Sequence, residues 1–168
     1  WTTDAGFRVA GIMHWPARLK AGQGISQPGS APDFLPPFFG LAGTKPPEGL
    51  ALDGASFLPA LENKPITRKK PLVWVYYNAL NRRRVAMRDG NWKVLAKLDI
   101  GKLNKVDARN VAQIKGATLS DFQVFDVSKD IGESEDLAKS NPAKLAELKQ
   151  RLETHYKELV DGSHVWEN

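Results

Sequence analysis

A chain of 168 residues, 42% apolar and 26% charged, is long enough for one ordinary domain, or for a small domain plus a piece of another. No apolar run approaches the roughly 18 residues of a membrane span, and the absence of cysteine excludes disulfides, thiolate metal sites and a cysteine nucleophile within the chain. The net charge of +5 is uneven: residues 63–119 hold fourteen Lys and Arg against three Asp and Glu, and residues 120–168 hold six against eleven. A basic middle third of this kind either attracts an anionic partner (sulfated polysaccharide, phosphate or nucleic acid) or faces the acidic C-terminal helix within one fold.

Trp1-Thr2-Thr3-Asp4 has no initiator Met and leads straight into apolar sequence, so the chain reads as cut from something longer and the compartment stays open. Residues 7–15, FRVAGIMHW, are apolar at nearly every position, which predicts a strand buried on both faces of a mostly parallel sheet and ended by Pro16. Ser26-Gln27-Pro28-Gly29-Ser30 has no base or oxyanion donor nearby and reads as loop. Ser30 and Asp33 offer caps before the apolar residues 34–41, Pro36 and Pro37 keep that helix short, and Gly43 suits its C′ stop. Strand, loop and helix together look like the last unit of an α/β sheet. A single helical turn fits within residues 52–61, and the basic connector 63–70 sets the expected subdomain boundary, 1–62 against 63–168.

The second half is organised around residues 83–98. Val85 and Met87 share one face of a strand, with Ala86 and Arg88 on the other. Asp89-Gly90 reads as a type I′ turn, after which Trp92, Val94, Ala96 and Leu98 alternate with Lys93, Leu95 and Lys97. This pattern predicts a hairpin with one buried face. A lone hairpin is barely stable in water, so the strands expected at 72–77 and 122–127 should flank it and the helix expected at 142–160 should cover it. Asp107 can cap a helix over 108–114, with Gly116 beyond its end. Asp126, Asp130, Glu133 and Glu135 lack the every-second-residue ligand spacing of an EF-hand loop, which leaves them turn and cap roles. Asn141-Pro142 starts the last helix, whose apolar stripe runs Leu145, Leu148, Leu152, His155, Leu159. His14 and His164 have no second ligand at a metal spacing, and no nucleic-acid motif is present.

Taken in order, these segments resemble the C-terminal part of sulfatases of the arylsulfatase type, in the alkaline-phosphatase-like superfamily. Residues 4–12, DAGFRVAGI, resemble the family's Glu-Gly-Gly-x-Arg-Val-Pro strand entry, and His14 to Arg18 its Arg-Trp-Pro-Gly-Arg. Residues 33–43 are similar to its Asp-Leu-x-Pro-Thr-Leu-Leu-x-Leu-Ala-Gly helix, and residues 52–58 to its Leu-Asp-Gly-x-Ser-Leu segment. Arg88, Gly90, Trp92 and Lys93 match its Arg-x-Gly-x-Trp-Lys hairpin, and residues 125–138 resemble the stretch before its last helix. Departures are mild: Asp4-Ala5 stands for Glu-Gly, Ala10 and Ile131 for Pro, Pro37 for Thr, and Asp136 for Asn.

The resemblance implies an α/β fold class: the C-terminal end of an alkaline-phosphatase-like α/β domain, then a small antiparallel β-sheet subdomain packed by a C-terminal helix. It implies sulfate-ester hydrolysis by a formylglycine nucleophile with calcium, both outside this chain, because Ser26 to Ser30 does not match Cys/Ser-x-Pro-Ser-Arg. This chain alone is then inactive. Its expected contribution is substrate-cleft rim, from Trp1 and Thr2 and from Tyr77, Asn78 and Arg82 before the hairpin. The implied partners are the N-terminal catalytic part and a sulfated small molecule or carbohydrate, without nucleic acid or membrane. The implied location is periplasmic, secreted or lysosomal. A competing reading is a non-catalytic module that binds an acidic polysaccharide through the basic middle third. A related phosphodiesterase is disfavoured by Trp92-Lys93.

Overall fold

A computed structural model describes residues 2–78, 80, 82–101, 103 and 107–164, the side chain of Arg83 excepted. The chain forms two compact units, one of Trp1–Val9 with Leu72–Asn168 and the other of Ala10–Pro71.

The first unit is built on strands β1 (Leu72–Val75), β2 (Arg83–Asp89), β3 (Trp92–Leu98) and β4 (Leu119–Asp126), antiparallel and adjacent in chain order. The two-residue alternation seen in the sequence sorts their side chains. Val85, Met87, Val94, Ala96, Leu98 and Val124 face the long helix α5 (Pro142–Asp161), which supplies Leu148, Leu152, Tyr156 and Val160. Burying each such aliphatic side chain stabilises by about 1.5–3 kcal/mol. The helix starts where Asn141 accepts the Lys144 N–H and Pro142 takes the first turn. Between β3 and β4, Asp107 caps a 3₁₀ turn, Ala108–Asn110, that runs into a short helix, Val111–Lys115, closed at Gly116.

Several expectations are corrected here. The hairpin turn is centred on Gly90-Asn91, one residue later than Asp89-Gly90. Asp89 pairs with Trp92, and of the two turn residues Gly90 alone has positive φ, at 57°, as in a type II′ turn. The hairpin also buries both faces: Ala86, Leu95, Phe125 and Val127 form a second core on the side away from α5. On α5 the buried stripe ends in Tyr156 and Val160, while Leu159 is exposed and His155 lies beside Glu158.

In the unit Ala10–Pro71, Ser30 and Asp33 form a reciprocal capping box for a 3₁₀ turn, Ala31–Phe34, which continues as the helix Leu35–Leu41. That helix ends as the sequence expects. Gly43 takes φ 65°, Gly43 N–H donates to the Gly40 carbonyl and Thr44 N–H to that of Phe39. Leu58–Leu61 makes the expected single turn.

Residues 8–15 form no strand; Val9 is 85% and Ile12 96% exposed. Among the described residues of the unit Ala10–Pro71 there is no strand, so residues 10–15 have no ladder partner within it. The basic connector 63–70 stays with this unit instead of opening the next: Arg68 is ion-paired with Asp33 and Lys70 with Asp53. Residues 1–9 instead join the sheet unit.

Candidate functional site

The sheet face away from α5 holds a buried charge cluster and, beside it, a cleft. Strand parity puts Trp74, Ala86, Arg88, Lys93 and Leu95 on that side. Across them lies a single helical turn, Asp4–Phe7, called α1. Phe7 stacks on Trp74, with ring centroids 4.3 Å apart and planes at 18°.

Lys93 is fully buried beneath this turn. Its Nζ donates to Asp4 Oδ1 at 2.7 Å and to Glu133 Oε1 at 2.5 Å, and lies 4.3 Å from the Phe7 ring centroid. The same Glu133 oxygen accepts the Asp4 backbone N–H at 2.8 Å, and Arg88 Nη1 stands 3.9 Å from Asp4 Oδ2. Glu133 reaches inward from a left-handed backbone position, φ 54°. Burial is the largest influence on both carboxyls and pushes both up. At Asp4 the hydrogen bond and charge of Lys93, with help from Arg88, outweigh it and hold the carboxyl low. At Glu133 burial prevails and the carboxyl is held above the usual range.

Beside this cluster a cleft of about 660 Å³ runs against β1, lined by Thr2, Gly6, Phe7, Trp74, Tyr76 and Leu80 among others. The residues expected at a substrate rim fall in different places. Thr2 is buried in the cleft wall. Tyr77 packs with the core on the α5 side, where burial pushes its hydroxyl pKa up. Asn78 and Arg82 are exposed between β1 and β2. Trp1 lies outside the described residues. The structure therefore does not gather Thr2 and Tyr77 into one wall; Tyr76 is the tyrosine that lines the cleft with Thr2.

Among the described residues no group of three or more His, Cys, Asp or Glu could hold a metal ion. The acidic segment works as a turn. Asp126 accepts from Ser128, Asp130 from the N–H groups of Ser134 and Glu135, and Asp136 from those of Val124 and Ala138. Much of the basic middle third is paired internally: Arg68, Lys70, Lys93, Lys97 and Arg109 each meet a carboxylate, and Asp89 meets Arg151 of α5. What the face can do chemically is bind and orient. The sequence reading missed the Lys93 cluster, although a lysine at the parity of Leu95 and Ala86 was a signal for it.

No family model matches the chain. It is 38% identical over 76 residues to steryl-sulfatase of Homo sapiens, which covers 45% of this chain and 13% of that protein. It is 35% identical over 79 residues to N-acetylgalactosamine-6-sulfatase of Sus scrofa, 47% of this chain and 15% of that protein. Among solved structures, Ps i-CgsB superimposes with TM-score 0.60 at 30% identity, over 85% of this chain and 27% of its own. BT4656, solved in complex with its substrate D-glucosamine-2-N,6-O-disulfate, does so with TM-score 0.54 at 25% identity, over 90% of this chain and 28% of its own. The chain thus spans less than a third of each of these four proteins. In sequence and in fold, the chain resembles the C-terminal portion of sulfatases of the arylsulfatase type.

Proposed function

We propose that this chain is part of a sulfuric ester hydrolase whose formylglycine nucleophile and calcium site lie outside it, on an N-terminal catalytic part. The observation that carries the reading is the similarity to named sulfatases, in a fold shared over 85–90% of the chain. The described side chains do not fit a calcium site: the two carboxylates that converge, Asp4 and Glu133, are already occupied by the Lys93 ammonium. The contribution of this chain is binding surface. Thr2 and Tyr76 in the cleft, with Trp1, Asn78 and Arg82 nearby in sequence, form one side of the substrate rim, and Tyr77 braces that side from the core. An aromatic cleft suits the ring of an aryl or carbohydrate sulfate, stacked on Tyr76. The N-terminal part has a docking face to use: Phe34, Leu35, Phe38 and Leu41 form an exposed apolar stripe on the helix Leu35–Leu41 and its entry. The location that goes with this reading is the periplasm, the extracellular space or the lysosome. No helix among the described residues is long and apolar enough to cross a membrane.

The test is sulfate release from an aryl sulfate and from a sulfated hexosamine. The whole protein turns over at least one of them, and the purified 168-residue chain turns over neither. Turnover by the isolated chain, or a whole protein with no Cys/Ser-x-Pro-Ser-Arg motif and no sulfate release, would overturn the reading.

A further inference from the structure

We propose that Lys93 is a positioning residue for the cleft: its buried ammonium locks Asp4 and Glu133 together and so fixes the Thr2-to-Phe7 wall over β1. The lock rests on geometry alone, and its consequence for substrate rests on the sulfatase reading above. Burying an ammonium costs stability unless it is paired and hydrogen-bonded, and an apolar residue of similar size would cover the face at least as well. What the ionic cluster adds is direction. β3 lies between β2 and β4, so the Lys93 side chain starts from a fixed backbone. The turn α1 is four residues long, with no side-chain cap at Thr3, and a turn of that length has no stability of its own. Among the described residues, the side chains of α1 are held by the Phe7–Trp74 stack and by the Lys93 cluster. The stack permits sliding and rotation, whereas the charge-assisted hydrogen bonds set the angle. Glu133 adopts left-handed φ, unfavourable for a residue with a Cβ, and in that conformation reaches both Lys93 Nζ and the Asp4 N–H. The charged groups facing the cluster are Asp4 from α1, Arg88 from β2, Lys93 from β3 and Glu133 from the acidic turn. Thr2 lies two residues from Asp4, in the cleft wall, so rotation of α1 moves that wall directly.

The experiment uses the whole enzyme with two variants, Lys93→Met and the charge-free Lys93→Met/Asp4→Asn/Glu133→Gln. The second keeps the proposal testable if the two bare carboxylates of the first prevent folding. Amide exchange is read at Gly6 and Arg8, whose N–H groups close α1 onto Thr3 and Asp4, alongside the KM and kcat of sulfate-ester hydrolysis. In the triple variant the sheet and α5 stay protected, Gly6 and Arg8 exchange about tenfold faster, and KM rises about tenfold with kcat nearly unchanged. Unchanged exchange at Gly6 and Arg8 overturns the lock. Faster exchange with unchanged KM overturns the link to the cleft. A wild-type enzyme that releases no sulfate from any ester defeats the sulfatase reading and that link together, while the exchange measurement still decides the lock.

Discussion

A Cβ on Gly54 would lie 2.0 Å from the carbonyl oxygen of Pro32, backbone against backbone. The residue after it, Ala55, donates its N–H to Asp33 Oδ1 at 2.8 Å, so the close approach is what brings the loop onto the buried carboxylate. Nothing at either end is a flexible side chain that could swing away. Gly54→Ala is therefore expected to open the Ala55–Asp33 hydrogen bond and to destabilise the Ala10–Pro71 unit by about 1–3 kcal/mol, as overpacking does. Urea denaturation followed by a probe in that unit checks it, and an unchanged midpoint would show that the loop has room to spare.

The same Asp33 governs an acid dependence. Arg68 grips it with both terminal nitrogens, at 2.8 and 2.6 Å, and the Ser30 and Ala55 N–H groups and the Ser30 hydroxyl also donate to it. Burial, the largest influence, pushes the carboxyl up, but Arg68 and these N–H groups outweigh it and hold Asp33 below the usual range. A depressed carboxyl contributes stability that is fully present above the unfolded-state pKa of about 3.9 and is lost as pH falls through the lower folded value. Arg68→Met should therefore cost about 3–5 kcal/mol at pH 7, because it strands a buried carboxylate. The difference from wild type should begin to shrink as pH falls below about 4, and it vanishes only below the lowered value at which wild-type Asp33 is itself protonated. Melting curves across pH 3–7 decide it; a gap that stays constant with pH contradicts the electrostatic account.

Local rules of the chain were legible where a residue type answers a backbone need. The caps at Ser30, Asp107 and Asn141, the stop at Gly43, and the alternation from Val85 to Leu98 all read through to the structure. Apolar composition said less. FRVAGIMHW signals burial but carries no information on what buries it, and here Val9 and Ile12 lie in the open. Lys93 was harder still, because a charged residue at alternating parity looks like the wet face until Asp4 and Glu133, distant in sequence, are brought to it. Trp92 occupies the expected face yet is only partly buried, at the end of β3 under the Lys144 ammonium.

Tyr156 offers a test of the helix-side core. It is 5% exposed, and among the described residues its hydroxyl has no hydrogen-bond partner. Burial, with a smaller contribution from neighbouring Tyr77, pushes its pKa up to about 12. Removing an unsatisfied buried hydroxyl while keeping the ring gives up no bond. Tyr156→Phe is expected to leave the thermal midpoint unchanged or to raise it, a gain of up to about 1 kcal/mol. A loss of that size would mean that the hydroxyl has a partner in the folded protein.

The register of α5 can be decided by two substitutions of the same chemistry. From Leu148 and Leu152, steps of three and four residues lead equally well to His155 and Leu159 or to Tyr156 and Val160, so sequence periodicity could not choose between them. The sheet chooses the second path. Leu152 is fully buried among Val85, Val94 and Val124, whereas Leu159 is 43% exposed. Leu152→Ala should cost about 2–5 kcal/mol, from lost transfer energy and the cavity left behind. Leu159→Ala, on a largely wet surface, should stay within about 0.5–1 kcal/mol of wild type. Equal losses, or a larger loss at Leu159, would rotate the helix onto the stripe that the sequence alone suggested.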